Sequence, residues 1–421
     1  MSNKHFLSKS IAPRLLLLAA ILGLLVITPQ PARSQTLTVL HSFAGYPNDG
    51  SAPDAGLIMD AQGNLYGTTI RGGVPATCPY KDGCGTVFRL TPDGTETLLH
   101  SFRAPRATSL PRRVADGIFP FDTLIMDLQG NLYGTTANGG HWSNDWGYGT
   151  VFELTRAGEE KVLYAFLGYP NDGQSPYAGL VMDAQGNLYG TTYYGGAYGQ
   201  GTVFKVAPNG TETVLHSFCA SSGCPDGQLP GGLIIDAQGI LYGTTAGGGD
   251  YGVGTAFEMT PNGAETILHS FNGSDGDSPG DLVMDAQGNL YGPTSLGGAY
   301  DRGTVFKLTS DGVLTVLYSF PGGAAGYLPN GGLVMDAQGN LYGTTAGGGA
   351  YDGGTVFKLT SDGVETVLYS FCSKSGCTDG ATPFAGLIMD AQGNHYATTI
   401  GGGISNSHCP YGCGTVFKLT P

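Results

Sequence analysis

The sequence predicts an all-β protein, a seven-bladed β-propeller of four-stranded antiparallel blades that is closed by its N-terminal strand. Two observations lead to this fold class. The phrase MDAQGNLYGTT at residues 59–69 occurs in seven close copies, and repeat periods of about 50 residues are typical of propellers and repeat arrays. Each copy also contains four short apolar segments separated by turn residues. The Asp of the phrase stands at Asp60, Asp127, Asp183, Asp236, Asp285, Asp336 and Asp390.

The sixth copy shows the four predicted strands most clearly. They are GGLVMD at residues 331–336, NLYGTT at 340–345, GTVFKLT at 354–360 and ETVLYSF at 365–371. Asp336 followed by Gly339 suits a tight type I turn with the glycine in the left-handed conformation, so the first two strands form a hairpin. The SDG before the fourth strand predicts a second hairpin. Because the strands are apolar on both faces, we expect the sheets to stack as blades.

The two ends of the repeat region predict how the ring closes. TLTVLHSF at residues 36–43 matches a fourth strand, and GTVFKLTP at residues 414–421 matches a third strand. We expect these segments to pair, which leaves no open edge in the ring. Residues 35–421 are therefore predicted as a single domain, with blades at about residues 54–102, 119–166, 177–218, 230–271, 279–320, 330–371 and 384–421 plus 36–43.

The first 34 residues are typical of a secretory signal peptide. Basic residues precede an apolar run at residues 15–27, and Ala-Arg-Ser at 32–34 provides a small-residue cleavage site. The run is shorter than the roughly 20 residues that span a bilayer, so we expect a secreted protein, periplasmic or extracellular, without a membrane span after cleavage. An uncleaved anchor is the alternative.

Charge excludes one class of partner. Loss of residues 1–34 removes four basic residues and no acidic ones, which takes the formal net charge from −14 to −18. Nucleic acids and anionic membranes attract clustered Lys and Arg, so neither is an expected partner. The one basic run, at residues 103–113, is interpreted as a solvated insertion loop. We expect a monomer.

The eight cysteines form four close pairs along the chain. An even, locally paired set behind a signal peptide indicates disulfides in an oxidising compartment, and zinc binding by two converging pairs is the competing interpretation. The pairs are Cys78 with Cys84, Cys219 with Cys224, Cys372 with Cys377, and Cys409 with Cys413.

The sixth copy, GGLVMDAQGNLYGTTAGGGAYDGGTVFKLTSDGVETVLYSF at residues 331–371, closely resembles the GloVer (Gloeo/Verruco) tandem repeat of exported bacterial proteins. The resemblance covers nearly all of residues 36–421. It implies a propeller-like exported protein and no established activity. Many relatives carry a C-terminal sorting segment that this sequence lacks, so we do not expect surface anchorage. The strand order is also similar to that of NHL-type propellers.

Strand direction places the loops after the second and fourth strands on one face of the disc, which we call the loop face. These loops vary between copies, and variable loops on a rigid scaffold are where binding usually occurs. The loop before the first strand repeatedly carries Asp-Gly-x-x-Pro, which we interpret as a turn. A ring of carboxylates for cations or sugars is the alternative. No cofactor is predicted, although Asp275 and Asp277 in NGSDGDSPGD form the most plausible local Ca²⁺ loop.

Aromatic residues on the loop face suggest the ligand class. A tyrosine three residues before the next Gly-Thr could stack on sugars or contact a peptide, and packing over glycines is the alternative. We therefore expect a binding module for a carbohydrate or an extracellular protein or peptide. The candidate binding residues are Tyr198, Tyr251, Tyr300, Tyr351, Tyr411, Trp142 and Trp146.

Catalysis is less favoured by the sequence. The loop HWSNDWGYG breaks the repeat, and its His141 and Asp145 could act as acid and base. A propeller-type lyase or hydrolase is thus one alternative function, and a structural extracellular spacer is another. The His of the fourth strand alternates with Tyr between copies, as at His100 and Tyr164, which indicates a packing position rather than a ligand.

Overall fold

The structure, a computed structural model, describes residues 35–74, 78, 80–103, 116–141 and 146–421. Residues 35–421 form one compact unit. The predicted signal peptide, most of the basic insertion, Trp142 and Asp145 lie outside the described residues. Within the described residues, no helix has the length and apolar character needed to cross a membrane.

Seven antiparallel sheets follow one another along the chain, and in each the strands pair in the order first, second, third, fourth. The seven-bladed propeller predicted from the repeats is thereby confirmed. The strands are Ile58–Met59, Leu65–Thr69, Thr86–Leu90 and Glu96–Ser101 in blade 1; Ile125–Met126, Leu132–Thr136, Thr150–Leu154 and Glu160–Ala165 in blade 2; Val181–Met182, Leu188–Thr192, Thr202–Val206 and Glu212–Ser217 in blade 3; Gln228–Ile235, Leu241–Gly247, Thr255–Met259 and Glu265–Ser270 in blade 4; Val283–Met284, Leu290–Leu296, Thr304–Leu308 and Leu314–Ser319 in blade 5; Val334–Met335, Leu341–Thr345, Thr355–Leu359 and Glu365–Ser370 in blade 6; and Ile388–Met389, His395–Thr399, Thr415–Thr420 and Thr36–Ser42 in blade 7.

In each blade, two loops are joined by a short antiparallel pairing of their backbones. In blade 1 the loop that enters the blade pairs with the loop between the second and third strands, Gly50 opposite Gly72. Equivalent pairings occur in the other six blades. Both kinds of loop therefore share one face, as strand direction predicts. The remaining short elements are Gly50–Ser51, Arg71–Gly72, Gly117–Ile118, Asn138–Gly139, Gly173–Gln174, Tyr194–Gly195, Asp277–Pro279 and the 3₁₀ turns Gly323–Ala325 and Ser375–Cys377.

The repeated phrase forms the hairpin between the first two strands. Gly63 has φ of +80°, and its N–H donates to the Asp60 carbonyl over 3.0 Å. The Asp60 carboxylate accepts the N–H groups of Gln62 and Asn64, the Asn64 amide and the Tyr66 hydroxyl, over 2.7–3.0 Å. A short Asp side chain that satisfies a turn in this way is the reason for Asp at this position.

The glycine and two threonines at the end of the repeated phrase make contacts within a blade and between blades. A Cβ on Gly67 would lie 2.7 Å from the ring of Phe88 and 2.9 Å from Leu57, so glycine at this position lets these two side chains of the same blade pack closely against the strand. The two threonines that follow have separate partners. In the sixth copy Thr344 donates to the Ala385 carbonyl of the next blade, and Thr345 bonds Thr355 of its own blade.

Neighbouring blades are joined by pairs of phenylalanines. The Phe after each fourth strand packs against the third-strand Phe of the next blade, with ring centroids 5.0–5.5 Å apart. The third strands of blades 1 to 6 are buried on both faces except at one position, as stacked sheets require. The N-terminal strand Thr36–Ser42 pairs with Thr415–Thr420, which confirms the predicted closure. The core is thus divided among seven junctions.

Candidate functional site

The residues that precede the first strands line a central channel. Its end near the loop face holds a cavity of about 410 Å³. Three carboxyl groups, those of Asp54, Asp122 and Asp281, border the cavity together with the aromatic residues Phe121, Tyr177 and Phe384. The cavity therefore combines acidic groups with flat apolar surfaces.

These three aspartates break the repeat. Asp122 stands where the other six copies have Ala or Gly, and Asp281 stands where five copies have Gly and one has Thr. At the position of Asp54 the other copies carry Phe, Tyr, Pro or Asn. Small residues suffice for the fold at the positions of Asp122 and Asp281, so these two carboxyl groups are not required by the repeat.

Two of the three carboxylates contact the backbone of a neighbouring blade. Asp122 accepts the N–H of Gly179 in blade 3 over 2.6 Å, and Asp281 accepts the N–H of Gly232 in blade 4 over 3.1 Å. Asp122 is half-buried, whereas Asp281 is exposed to the open space of the cavity. Both residues thus link blades as well as line the cavity.

Loss of hydration next to the surrounding protein raises the pKa of all three carboxyl groups. Burial raises the pKa of Asp122, and the nearby Asp281 charge adds to the effect. Burial also raises the pKa of Asp281, and that of Asp54 to about 6. Near neutral pH the cavity therefore offers both protonated carboxyls, which donate hydrogen bonds, and carboxylates, which accept them.

An aromatic wall adjoins the carboxyl groups. The ring of Phe121 lies 5.0 Å from that of Tyr177, which lies 5.5 Å from Tyr193, and Tyr193 contacts Tyr194 at 4.9 Å. Tyr177 and Tyr194 are exposed. Rings with accessible apolar area and polar tips can stack on a ligand beside the acidic groups.

The five tyrosines proposed from sequence lie in exposed positions. Their exposed fractions run from 50% for Tyr198 to 91% for Tyr411. Tyr300 and Tyr351 lie near Tyr318 and Tyr369 of the outermost strands and contribute to the raised pKa of those two hydroxyls. These two loop tyrosines are thus placed along the rim, away from the channel residues. Their role in binding remains a prediction.

The tryptophan loop lies beside blade 2. Trp146 is exposed, and its ring stacks on Tyr80 of the preceding blade with centroids 5.0 Å apart. His141 borders a cavity of about 450 Å³ together with Asp116 and Glu160. His141 therefore lies near two acidic residues that sequence reasoning did not associate with it.

The His or Tyr of each fourth strand is a packing position, as predicted. Its ring packs edge-on against the Phe two residues later, with centroids 4.7–5.2 Å apart. In six copies its polar end also lies within 3.5 Å of the Asp of Asp-Gly-x-x-Pro or its variant. A ring nitrogen and a phenol oxygen can both donate to that Asp, which explains the exchange.

The Asp of this loop motif behaves as a turn residue. Asp49 accepts the N–H groups of Ala44 and Gly50 over 2.7 and 2.6 Å. In the suggested Ca²⁺ loop, Asp275 accepts from His269 and from the Asn272 amide, and Asp277 accepts from the hydroxyl of Ser278. Calcium binding there remains a prediction.

Two other histidines break the repeat. His395 replaces Leu, is 4% exposed and contacts Tyr342 with ring centroids 4.4 Å apart, beside a cavity of about 540 Å³ at the hairpin turns of blades 6 and 7. His408 places Nδ1 3.5 Å from a carboxylate oxygen of Asp82 in blade 1. The two histidines therefore belong to separate sites.

All four predicted disulfides form. Cys78 bonds Cys84, Cys219 bonds Cys224, Cys372 bonds Cys377, and Cys409 bonds Cys413, so the described residues include no free thiol. The zinc interpretation of these cysteines is thereby excluded, and the disulfides are typical of an extracytoplasmic protein.

The fold and the channel define a seven-bladed repeat propeller with an acidic, aromatic-lined mouth. The model of the Gloeobacter/Verrucomicrobia repeat matches residues 26–232 and 228–421. The chain belongs to this family, which confirms the resemblance seen in the sequence.

Solved structures share the architecture. A streptogramin B lyase is 13% identical, with a TM-score of 0.58 over 92% of this chain and 97% of its own. Inactive virginiamycin B lyase from Staphylococcus aureus with quinupristin is 15% identical, with a TM-score of 0.57 over 92% and 99%. An extracellular domain from a B. thetaiotaomicron two-component system is 13% identical, with a TM-score of 0.55 over 92% and 41%. No curated protein sequence matches the chain. At these identities the likeness concerns the fold alone.

Proposed function

We propose that this protein is an exported binding module that holds a polyhydroxylated, sugar-like ligand at the channel mouth. The observation that carries the proposal is the group of repeat-breaking aspartates, Asp54, Asp122 and Asp281, beside the ring of Phe121. A sugar ring presents an apolar face that stacks on an aromatic ring, and hydroxyl groups that exchange hydrogen bonds with carboxyls. The predicted signal peptide and the four disulfides support export to the periplasm or the medium.

The site is tested with variants that the repeat itself suggests. Glycan-array screening of the tag-free protein identifies a ligand, and calorimetry then compares Asp122→Ala, Asp281→Gly and Phe121→Ala. We expect each to weaken binding by about 10-fold or more, because each removes a hydrogen-bonding or stacking partner. Ala and Gly occur at these two acidic positions in other copies, so the fold is expected to persist.

The rim tyrosines provide the matched control. Tyr251→Ala removes an exposed aromatic ring that does not line the channel cavity, so it separates the two candidate surfaces: a ligand held in the channel should bind with unchanged affinity. If Tyr251→Ala abolished binding while the channel variants bound normally, the rim would be the binding surface and the channel proposal would be wrong.

Hydrolysis or elimination is the second candidate function. Asp122 and Asp54 line the same cavity, and burial raises the pKa of both carboxyl groups toward neutrality, which suits a proton donor and acceptor. Turnover of the bound glycan, lost in Asp122→Asn but with affinity retained, would support this function. Binding without turnover supports the binding module.

A further inference from the structure

The rim of the disc brings together a histidine and two acidic residues from adjacent blades. His216 lies in the fourth strand of blade 3, Asp226 lies in the loop that follows, and Glu265 begins the fourth strand of blade 4. One side-chain donor atom from each lies within 4.8 Å of the other two. The channel site uses none of these residues.

The distances match those between ligands of a metal ion. The His216 Nε2 atom lies 3.4 Å from Asp226 Oδ2 and 3.5 Å from Glu265 Oε2. Two tetrahedral ligands at about 2.0–2.1 Å from Zn²⁺ are separated by about 3.3 Å. The Nε2 atom is buried and makes no hydrogen bond within the described residues, so neither contact is a formed hydrogen bond.

Two carboxylate oxygens at the same place also have no partner. The Glu265 side chain is only 9% exposed, and its Oε1 atom is buried without a hydrogen bond in the described structure, as is Asp226 Oδ1. Leaving several polar atoms buried and unpaired is costly. A cation between these groups would satisfy them at once.

We propose that His216, Asp226 and Glu265 bind a divalent transition-metal ion of the Zn²⁺ class. A neutral imidazole with two carboxylates carries a charge of about −2, which such an ion balances, and the nitrogen ligand favours Zn²⁺ over Ca²⁺ or Mg²⁺. The ion would join blades 3 and 4 at their outer edge.

The loop that carries Asp226 is held in place. The Cys219–Cys224 disulfide closes the turn just before it, and the Cys219 N–H donates to Asp226 Oδ2 over 2.9 Å. Hydrogen bonds to a ligating carboxylate orient it toward a metal. The disulfide thus has a specific role at this junction.

The repeat supplies related and unrelated junctions. His100, Asp116 and Glu160 form a second set of the same composition within 4.8 Å. At the junction that contains His269 and Asp275, the fourth strand of the next blade begins with Leu314 instead of Glu. In blade 2, Tyr164 occupies the position of the His. Tyr and Leu therefore occur at the equivalents of the proposed ligand positions in other blades, and those blades keep the same fold.

The test uses these natural replacements in tag-free, full-length protein expressed with its own leader. After treatment with a chelator, Zn²⁺ is titrated by calorimetry and Co²⁺ by visible absorption. We expect His216→Tyr and Glu265→Leu each to lose one bound equivalent or to weaken it by at least about 10-fold. His269→Tyr, at a junction without Glu, should bind as the unmodified protein does.

Circular dichroism and melting in chelator establish that each variant is folded, and the two independent variants guard against a fold defect in one. The proposal is overturned if the unmodified protein binds neither Zn²⁺ nor Co²⁺, or if both variants bind them with unchanged stoichiometry and affinity. Displacement of Zn²⁺ by millimolar Ca²⁺ would overturn the assigned metal class. A second equivalent that is lost in His100→Tyr would extend the proposal to the related set.

Discussion

The ring of Phe43 packs edge-on against the ring of Phe88, with centroids 5.2 Å apart and an angle of 69° between the planes. Phe43 follows the N-terminal strand, which completes blade 7, and Phe88 lies in the third strand of blade 1. Both side chains are fully buried. This pair therefore joins the last blade to the first.

Phe43→Ala is expected to lower the free energy of unfolding by about 3–5 kcal/mol, because it leaves a cavity at the closing junction. Denaturant unfolding followed by fluorescence and circular dichroism measures the change. Tyr411→Ala is the control, since its ring is 91% exposed and its removal should change stability by about 0.5 kcal/mol or less. Equal stability of the two variants would show that closure does not depend on Phe43.

The fold could be predicted because its determinants are local and repeated. Asp60 and Gly63 specify one hairpin within four residues, and the same turn occurs seven times. Closure followed from matching residues 36–43 to a fourth strand. None of these steps required knowledge of contacts between distant residues.

Gly67→Val is expected to destabilise the protein by about 1–3 kcal/mol through overpacking. Its Cβ alone would lie 2.7 Å from the Phe88 ring. The seventh copy carries Ala397, so one methyl can be accommodated there, whereas valine adds two more carbons. Thermal melting measures the effect. Gly401→Val is the comparison, because its Cβ would meet nothing closer than 3.5 Å, and an equal loss there would argue against the packing explanation.

The sites were harder to predict than the fold. Asp122 and Asp281 belong to blades 2 and 5, so only the ring brings them to one cavity. Comparison of the copies before each first strand would have identified both as departures from Ala, Gly or Thr. Glu265 meets His216 because the next blade packs beside it, and the sequence distance between them conceals the contact.

Acid is expected to destabilise the hairpins. Hydrogen bonds from Asn64 and Tyr66 outweigh burial and lower the pKa of Asp60, so its carboxylate stabilises the fold above about pH 3.8, the ordinary value. That contribution to stability is lost as the pH falls through the lowered pKa of Asp60 in the folded protein. Asn64→Ile, the residue found at Ile240, should cost about 1 kcal/mol at neutral pH and weaken this acid resistance. Melting curves from pH 6 to 2.5 provide the measurement, and identical curves for the variant would contradict the role of Asn64.

The rim glutamate Glu160 is expected to make the fold less stable as the pH rises, which is the opposite of the effect of Asp60. Burial, with a contribution from Asp116, raises the pKa of Glu160 to about 7 from an ordinary 4.5. Between these values the folded chain keeps a proton that the unfolded chain releases, so the free energy of unfolding falls as the pH rises through this window and levels off above it. One such group gives a slope of at most about 1.4 kcal/mol per pH unit, and solvent exposure reduces it.

Glu160→Gln, which stays neutral, should flatten the slope of the free energy of unfolding against pH, measured on the metal-free protein in chelator. Glu159→Gln is the matched control because Glu159 is exposed. Denaturant unfolding from pH 4.5 to 8 compares the two. If Glu160→Gln and Glu159→Gln keep the same pH dependence, Glu160 does not hold a proton in the folded state and the unpaired rim carboxyls must be satisfied in another way.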